Sequence, residues 1–290
     1  MKNVWRMHIK PDTKAGLTRN DAWSYCVENG IIGIGWGIEE NVGPMLSEEY
    51  LLIASKVYKD NTGWKRAMNA FIHHMKLGDL VWLEYGGVYY ISELTGDAFY
   101  DPKRKDLDLY NTRSCRIKEI GGLDVVPGGI QTRFIRGSAI QKVNDSILQQ
   151  YTVSTYFGKT TKVRAENLLK YLSPDDLEDL VGLYLQYRHD YKVIPSSCKP
   201  TTKKIEYTLI REGSKGKIET AAVQVKKGNV LLSVGDYADL PYDWVYLFGE
   251  DENYRKSEVN NVKCLTRKEL IDFITTYRSF LPNKITHWLV

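Results

Sequence analysis

The sequence predicts a mixed α+β and α/β chain in two parts: a small, partly closed β-barrel with helices over 1–158, and an α/β layer over 159–290. Three observations predict it. The length, 290 residues, is more than a single hydrophobic core commonly serves. The first part is rich in glycine and aromatic residues and reads as short strands around few helices. The second part reads helix, hairpin, two short strands, helix.

Along the first part, Val4 to Ile9 alternates as a strand does. Thr18 to Gly30 reads as a helix, with Thr18 as N-cap and Gly30 as the stop. Ile31 to Gly37 follows as a strand punctuated by glycines. Ser47 to Tyr58 and Gly63 to Met75 are predicted helices. Leu80 to Tyr85 and Val88 to Leu94, joined by Gly86-Gly87, carry a hairpin signature. Further strands are predicted at Ser114 to Ile120 and Gln131 to Ile135.

The second part opens with Thr160 to Tyr171. Ser173-Pro174-Asp175-Asp176 then supplies an N-cap, a proline at the first helical position and acids at the positive end of the helix dipole. Leu177, Leu180, Val181, Tyr184 and Leu185 recur at helical spacing. Strands are predicted at Lys204 to Arg211 and Ile218 to Lys226, joined through Gly213-Ser-Lys-Gly216. Asn229 to Val234 and Trp244 to Phe248 are shorter strands. Thr266 to Glu269 reads as a capping box ahead of the helix Leu270 to Phe280.

Composition excludes several function classes. The 40 Lys and Arg against 36 Asp and Glu give a net charge of +4, spread along the chain, which permits an anionic partner without demanding one. Cys26, Cys115, Cys198 and Cys264 are far apart with no CxxC pair, which argues against a structural zinc site and a disulfide framework. No stretch approaches the length of a membrane span and no secretory h-region is present, so a cytoplasmic location is expected.

The most informative segment is Gln224-Val225-Lys226, which ends the run from Thr220. Residues two apart on a strand share a face, so a polar Gln and a Lys look out together from an otherwise apolar strand. Burying a lysine without a partner is costly, so the pair marks either a solvated edge or a place where the ammonium meets an anion. Glu206 on the facing hairpin arm shares that side if the register sets 206 against 224; a one-residue slip would turn it away. Glu178 lies on the preceding helix. Carboxylates converging from separate elements, with a lysine beside them, are what metal-assisted phosphodiester cleavage requires. The same spacing also suits solvated strand ends, and spacing alone leaves both readings open.

From about Leu172 onward the chain resembles the PD-(D/E)xK nuclease superfamily, in particular its Mrr-type restriction endonucleases, whose QxK ending is similar to Gln224-Val225-Lys226. The resemblance implies a restriction-endonuclease-like α/β domain over 159–290. Glu206 would stand for the first-strand acid and Glu178 for the helix-borne acid. Glu178, Glu206 and Gln224 would be ligands of Mg2+ (or Mn2+), with Lys226 completing the catalytic set. Glu206 departs from the commoner Asp and has no proline before it.

Five of the seven tryptophans, Trp5, Trp23, Trp36, Trp64 and Trp82, fall within the first 82 residues. Trp23 and Trp64, on helices, read as core. Trp36 stands in Gly33-Ile-Gly35-Trp36-Gly37, where absent side chains let a ligand or another backbone come close. Taken with Leu77-Gly-Asp-Leu-Val-Trp82, this order resembles the PUA-like fold, especially its EVE-like and YTH-like members. The resemblance implies a domain over 1–158 that holds a modified or flipped base in an aromatic pocket, with Trp36 and Trp82 as cage candidates, then Trp5 and Tyr85. Lys103 to Lys105 and Arg113, Arg116, Arg133 and Arg136 are candidates for tracking a phosphate backbone.

The function expected from these resemblances is a DNA endonuclease that recognises modified or foreign (phage) DNA in a restriction or defence role. Its partner would be DNA, and a homodimer would supply two sites for two strands. The alternatives are a non-catalytic reader built on a degenerate nuclease fold, and an RNA-directed nuclease.

Overall fold

The structure is a computed structural model describing residues 2–14, 16–38, 42–135, 138–159, 162–198, 204–213 and 216–290. It is a mixture of helices and several sheets, as the sequence predicts. The chain divides into two compact units, one of residues 1–126 and 130–160, the other of 127–129 and 161–290.

In the first unit, β1 (Val4–Met7) is followed by α1 (Arg19–Asn29). Thr18 and Asp21 cap α1 reciprocally, and Gly30 ends it at φ 60°, a conformation that only glycine adopts without steric cost. β2 (Ile31–Ile34) stops two residues short of Trp36. β3 (Met45–Leu46) leads into α2 (Ser47–Val57), and α3 (Thr62–Met68) runs on into a wide π turn over Asn69–His74. β4 (Leu80–Tyr85) and β5 (Val88–Tyr100) form the expected antiparallel hairpin, and β6 (Asn111–Gly121) lies along β5.

The segment predicted as a strand at 131–135 is instead part of helix α4 (Gly128–Ile135). Five residues are too few to separate a period of 2 from one of 3.6. The first amides of the helix also find acceptors, Gly128 N–H on Asp176 Oδ1 (2.9 Å) and Gly129 N–H on Ser173 Oγ (3.3 Å). β7 (Ile140–Lys142) and α5 (Ser146–Phe157) follow.

The sheet of this unit runs β2-β6-β5-β4-β1-β7, with β3 on β5; β1 and β4 are parallel. Among the described residues its end strands β2 and β7 do not pair with each other, so no closed barrel forms. Register shifts after Tyr89 and Leu94 bend the long β5–β6 ladder without bringing those ends together. Trp5, Trp23, Trp64, Phe71 and Leu83 share one core with Tyr50 and Tyr100.

The second unit starts with α6 (Ala165–Leu168) and α7 (Pro174–His189). Ser173 and Asp176 form a capping box on α7, with Pro174 in the first turn. β8 (Lys192–Val193), β9 (Tyr207–Glu212), β10 (Ile218–Lys226), β11 (Leu232–Ser233), β12 (Trp244–Gly249), β13 (Tyr254–Arg255) and β14 (Val262–Cys264) come next. α8 (Arg267–Thr276), capped by Thr266 and Glu269, and α9 (Asn283–Thr286) complete the unit.

The main sheet here is ordered β14-β12-β10-β9-β8, with β10 antiparallel to β9 and parallel to β12. β10 is therefore a middle strand and not a solvated edge. α7 meets the sheet at Tyr207, whose hydroxyl donates to the Glu178 carbonyl (2.9 Å). Gly182 makes room for that ring, since a Cβ there would lie 3.2 Å from the hydroxyl oxygen.

Candidate functional site

The hairpin register opposes Val223 and Tyr207, so one further step faces Gln224 with Glu206. Glu206 lies just before β9 and donates its backbone N–H to the Val223 carbonyl at 2.8 Å. Its side chain is on the face shared by Gln224 and Lys226. Gln224 Nε2 donates to Glu206 Oε1, and Lys226 Nζ reaches the same oxygen at 3.0 Å. Gln224 is 1% exposed. Its Nε2 also donates to the Val225 carbonyl (3.2 Å), while no hydrogen bond reaches its Oε1 among the described residues.

Glu178 comes to this group from the first turns of α7. Burial, then the neighbouring Glu206 and Asp175 carboxylates, push its carboxyl up to about 8, against the opposing pull of Lys226. Burial is the larger cause, so the Glu178 carboxyl is held away from water in the neighbourhood of Glu206 and Lys226. Asp175 beside them is also raised, by burial and then by Asp176. Asp176 and Asp179 instead pair with Lys284 of α9, Asp176 at 3.3 Å. Lys227 points elsewhere, donating to the Leu169 and Lys170 carbonyls (3.3 and 3.2 Å).

Among the described residues no three or more His, Cys, Asp or Glu side chains gather as a metal-binding group. The candidate donors at this site are two carboxylates and the free amide oxygen of Gln224. They are hard oxygen ligands of the kind Mg2+ takes.

The first unit holds a cavity of about 680 Å³ whose lining includes His8, Trp36, Tyr58, Asp108, Tyr110 and Phe134. That volume lies within the range of small-molecule sites, roughly 300–1,000 Å³. Trp36 sits at φ 65°, the left-handed region, which costs a bulky side chain about 1–3 kcal/mol. The surrounding hydrogen bonds hold it there. The Gly35 carbonyl accepts from Asn111 Nδ2 (2.8 Å), that of Trp36 from the Tyr50 hydroxyl (2.7 Å), and that of Gly37 from the Tyr58 hydroxyl. The Ile38 N–H is bonded to the Tyr100 oxygen at 3.1 Å. The flanking glycines serve close approach: a Cβ at Gly35 would fall 2.3 Å from Asp108 Oδ1, and one at Gly37 would fall 2.4 Å from the Tyr110 ring.

The other three cage candidates stand apart from this cavity. Trp82 is 0% exposed, with its indole N–H on Thr152 Oγ1 (2.8 Å). Trp5 is equally a core residue, its N–H on Asp79 Oδ2 (2.9 Å). Tyr85 stacks on Trp23 at 5.3 Å and donates to Asn20. These three carry the same aromatic signal as Trp36, but Trp5 and Trp82 are packed into the interior and Tyr85 is half-buried against Trp23. His8, Tyr58, Asp108 and Tyr110 were not legible as site residues. Only the Gly35-Trp36-Gly37 spacing hinted that something approached there.

Of the basic candidates, Arg113 is 2% exposed and donates to the Phe71, Met75 and Gly96 carbonyls, which makes it a buried brace and not a phosphate contact. Arg116 is exposed and pairs with Glu93 at 3.6 Å. Arg104 bonds Thr112 at 3.0 Å. Arg136 and the turn residues 214–215 lie outside the described residues.

A family model described as a domain of unknown function (DUF8426) matches residues 5–116, less than half of the chain. No curated protein matches. Among solved structures, protein Atu2648 from Agrobacterium tumefaciens is 13% identical, over 53% of this chain and 93% of its own, at a TM-score of 0.27. The DNA modification-dependent restriction endonuclease AspBHI is 11% identical, over 89% of this chain and 78% of its own, at a TM-score of 0.31. Neither likeness is close enough to carry weight, so the reading below rests on side-chain geometry. No helix of the described residues is long and apolar enough to cross a membrane.

Proposed function

We propose that the second unit is an Mg2+-dependent (or Mn2+-dependent) DNA endonuclease site, and that the first unit recognises an altered base in the DNA it acts on. The observation that carries this is the meeting of Gln224, Lys226 and Glu206 on one face, with Glu178 close enough for its carboxyl to be pushed up to about 8. Glu178, Glu206 and the Gln224 amide oxygen would hold the ion. When bound, the ion supplies charge stabilisation at a phosphoryl oxygen and a more acidic water. Lys226 puts an ammonium at the same place, where it neutralises charge developing on the phosphate. Trp36, whose backbone is fixed by hydrogen bonds in the wall of the cavity, would offer its ring for stacking, worth about 1–3 kcal/mol per base.

Restriction of modified or phage DNA by a homodimer is the biological role that fits this pairing. The competing reading is a non-catalytic reader, favoured by one observation: Lys226 and Gln224 already satisfy Glu206 without any ion. Incubation of modified and unmodified DNA with the protein, in Mg2+ or in EDTA, separates the two. Metal-dependent nicking that disappears in Lys226→Ala supports the enzyme, and tight binding without cleavage supports the reader. Preferential cutting of RNA in the same assay would replace DNA as the substrate.

A further inference from the structure

Tyr207 follows Glu206 in the chain, and both are tied to β10. Glu206 donates its N–H to the Val223 carbonyl at 2.8 Å, and Tyr207 is the strand partner of Val223. The Tyr207 side chain is buried and reaches α7, where its hydroxyl donates to the Glu178 carbonyl at 2.9 Å. Inside a helix the carbonyl of residue 178 accepts from the N–H of residue 182, so the phenol is a second donor at an oxygen with two lone pairs. The helix does not require that donor. A phenylalanine would fill the same space with no polar group to satisfy. Gly182, one turn further along α7, leaves the room the hydroxyl occupies, since a Cβ there would lie 3.2 Å from its oxygen.

The bond therefore ties together the two elements that carry the candidate acids, the helix bearing Glu178 and the strand start bearing Glu206. Burial, then Glu178, Asp179, Cys198 and Glu206, push the Tyr207 hydroxyl far above the ordinary phenol range, so it keeps its proton and remains a donor. We propose that Tyr207 is a positioning residue, whose hydroxyl holds the Glu178 turn of α7 at the distance from Glu206 that one divalent ion needs. This rests on the metal-site reading given above. Mg2+ demands a near-ideal octahedral shell and tolerates little misplacement of its ligands. A turn of α7 released from the strand should thus lose ion affinity before it loses its fold. Removing a group that orients metal ligands from behind typically costs about 10–100-fold in metal affinity or activity.

The test reads Mg2+ affinity separately from turnover. The melting temperature of the full chain is followed against Mg2+ concentration, which reports binding alone. Nicking of DNA over the same range gives the Mg2+ concentration for half-maximal rate. Tyr207→Phe keeps the ring and removes the hydroxyl. It should melt about 2–4 °C lower without metal. In both assays it should need roughly 10–100-fold more Mg2+, and its nicking deficit should shrink as Mg2+ is raised. Gly182→Ala crowds the hydroxyl from the helix side and should raise the Mg2+ requirement in the same direction. Added to Tyr207→Phe it should cost nothing more, because the ring carbon bearing the hydroxyl is 3.5 Å from a Cβ at 182, an ordinary contact. An unchanged Mg2+ requirement in Tyr207→Phe, with a wild type that binds Mg2+, overturns the positioning role and leaves the metal site standing. If Tyr207→Phe does not fold, Gly182→Ala decides in the same way. If Mg2+ neither stabilises the wild type nor supports nicking, the metal site falls and the positioning role falls with it.

Discussion

Glu178→Gln offers a test in which stability and function move in opposite directions. The carboxyl sits at about 8 in the folded chain against the ordinary 4.5, chiefly from burial and then from Glu206. The folded state therefore binds a proton that the unfolded state gives up, and this holds between about pH 4.5 and 8. Stability contributed by this site is fully present below 4.5, is lost as pH rises, and levels off above 8. At about 1.4 kcal/mol for each pH unit, the full span would reach roughly 5 kcal/mol. The site is partly open, and solvent screening reduces that to about 2 kcal/mol.

Glutamine keeps the shape and removes the charge. Glu178→Gln should melt near the wild type at pH 5 and about 4 °C higher at pH 8.5. Thermal unfolding of both proteins across that range measures the difference. Added Mg2+ should raise the wild type at pH 8.5 and leave the variant unmoved, while the variant loses metal-dependent nicking. A gap between the two proteins that is flat with pH, or that widens toward acid, would refute the raised Glu178 carboxyl.

Trp82→Ala should cost about 3–5 kcal/mol, because it empties a sealed position, and calorimetry should record the loss. Trp36→Ala should leave the melting temperature near the wild type and reduce discrimination between modified and plain DNA in a binding assay. Lys284→Met should destabilise by about 3–5 kcal/mol, since Asp176, itself buried, loses its cation; denaturant unfolding reads this directly. Lys226→Ala should abolish nicking in Mg2+ while circular dichroism stays unchanged, because its ammonium is partly exposed.

Local chemistry made much of the fold legible. Thr18, Ser173 and Thr266 cap the helices they were expected to cap, and Gly30 ends its helix, because these signals act within a few residues. The hairpin at Gly86-Gly87 is legible for the same reason. The helix at 128–135 was not, since amides donated to Asp176 and Ser173, more than 40 residues away, leave no trace in a five-residue pattern. At the candidate site, alternation along β10 predicted that Gln224 and Lys226 share a face. Whether Glu206 joined them depended on a register that only pairing could decide. Arg113 and Trp82 show the converse limit: a side chain's type says what it can do, and burial says whether anything can reach it.

The pairing of buried Lys284 with Asp176 and Asp179 has a consequence beyond its own energy. It fastens the opening turn of α7 to the short helix α9, and Glu178 lies between the two aspartates on that turn. The placement of one acid of the candidate centre is thus leased from a helix more than a hundred residues downstream. Shortening the chain there, or threading a fusion through it, should blunt nicking even with Glu178, Glu206, Gln224 and Lys226 all intact.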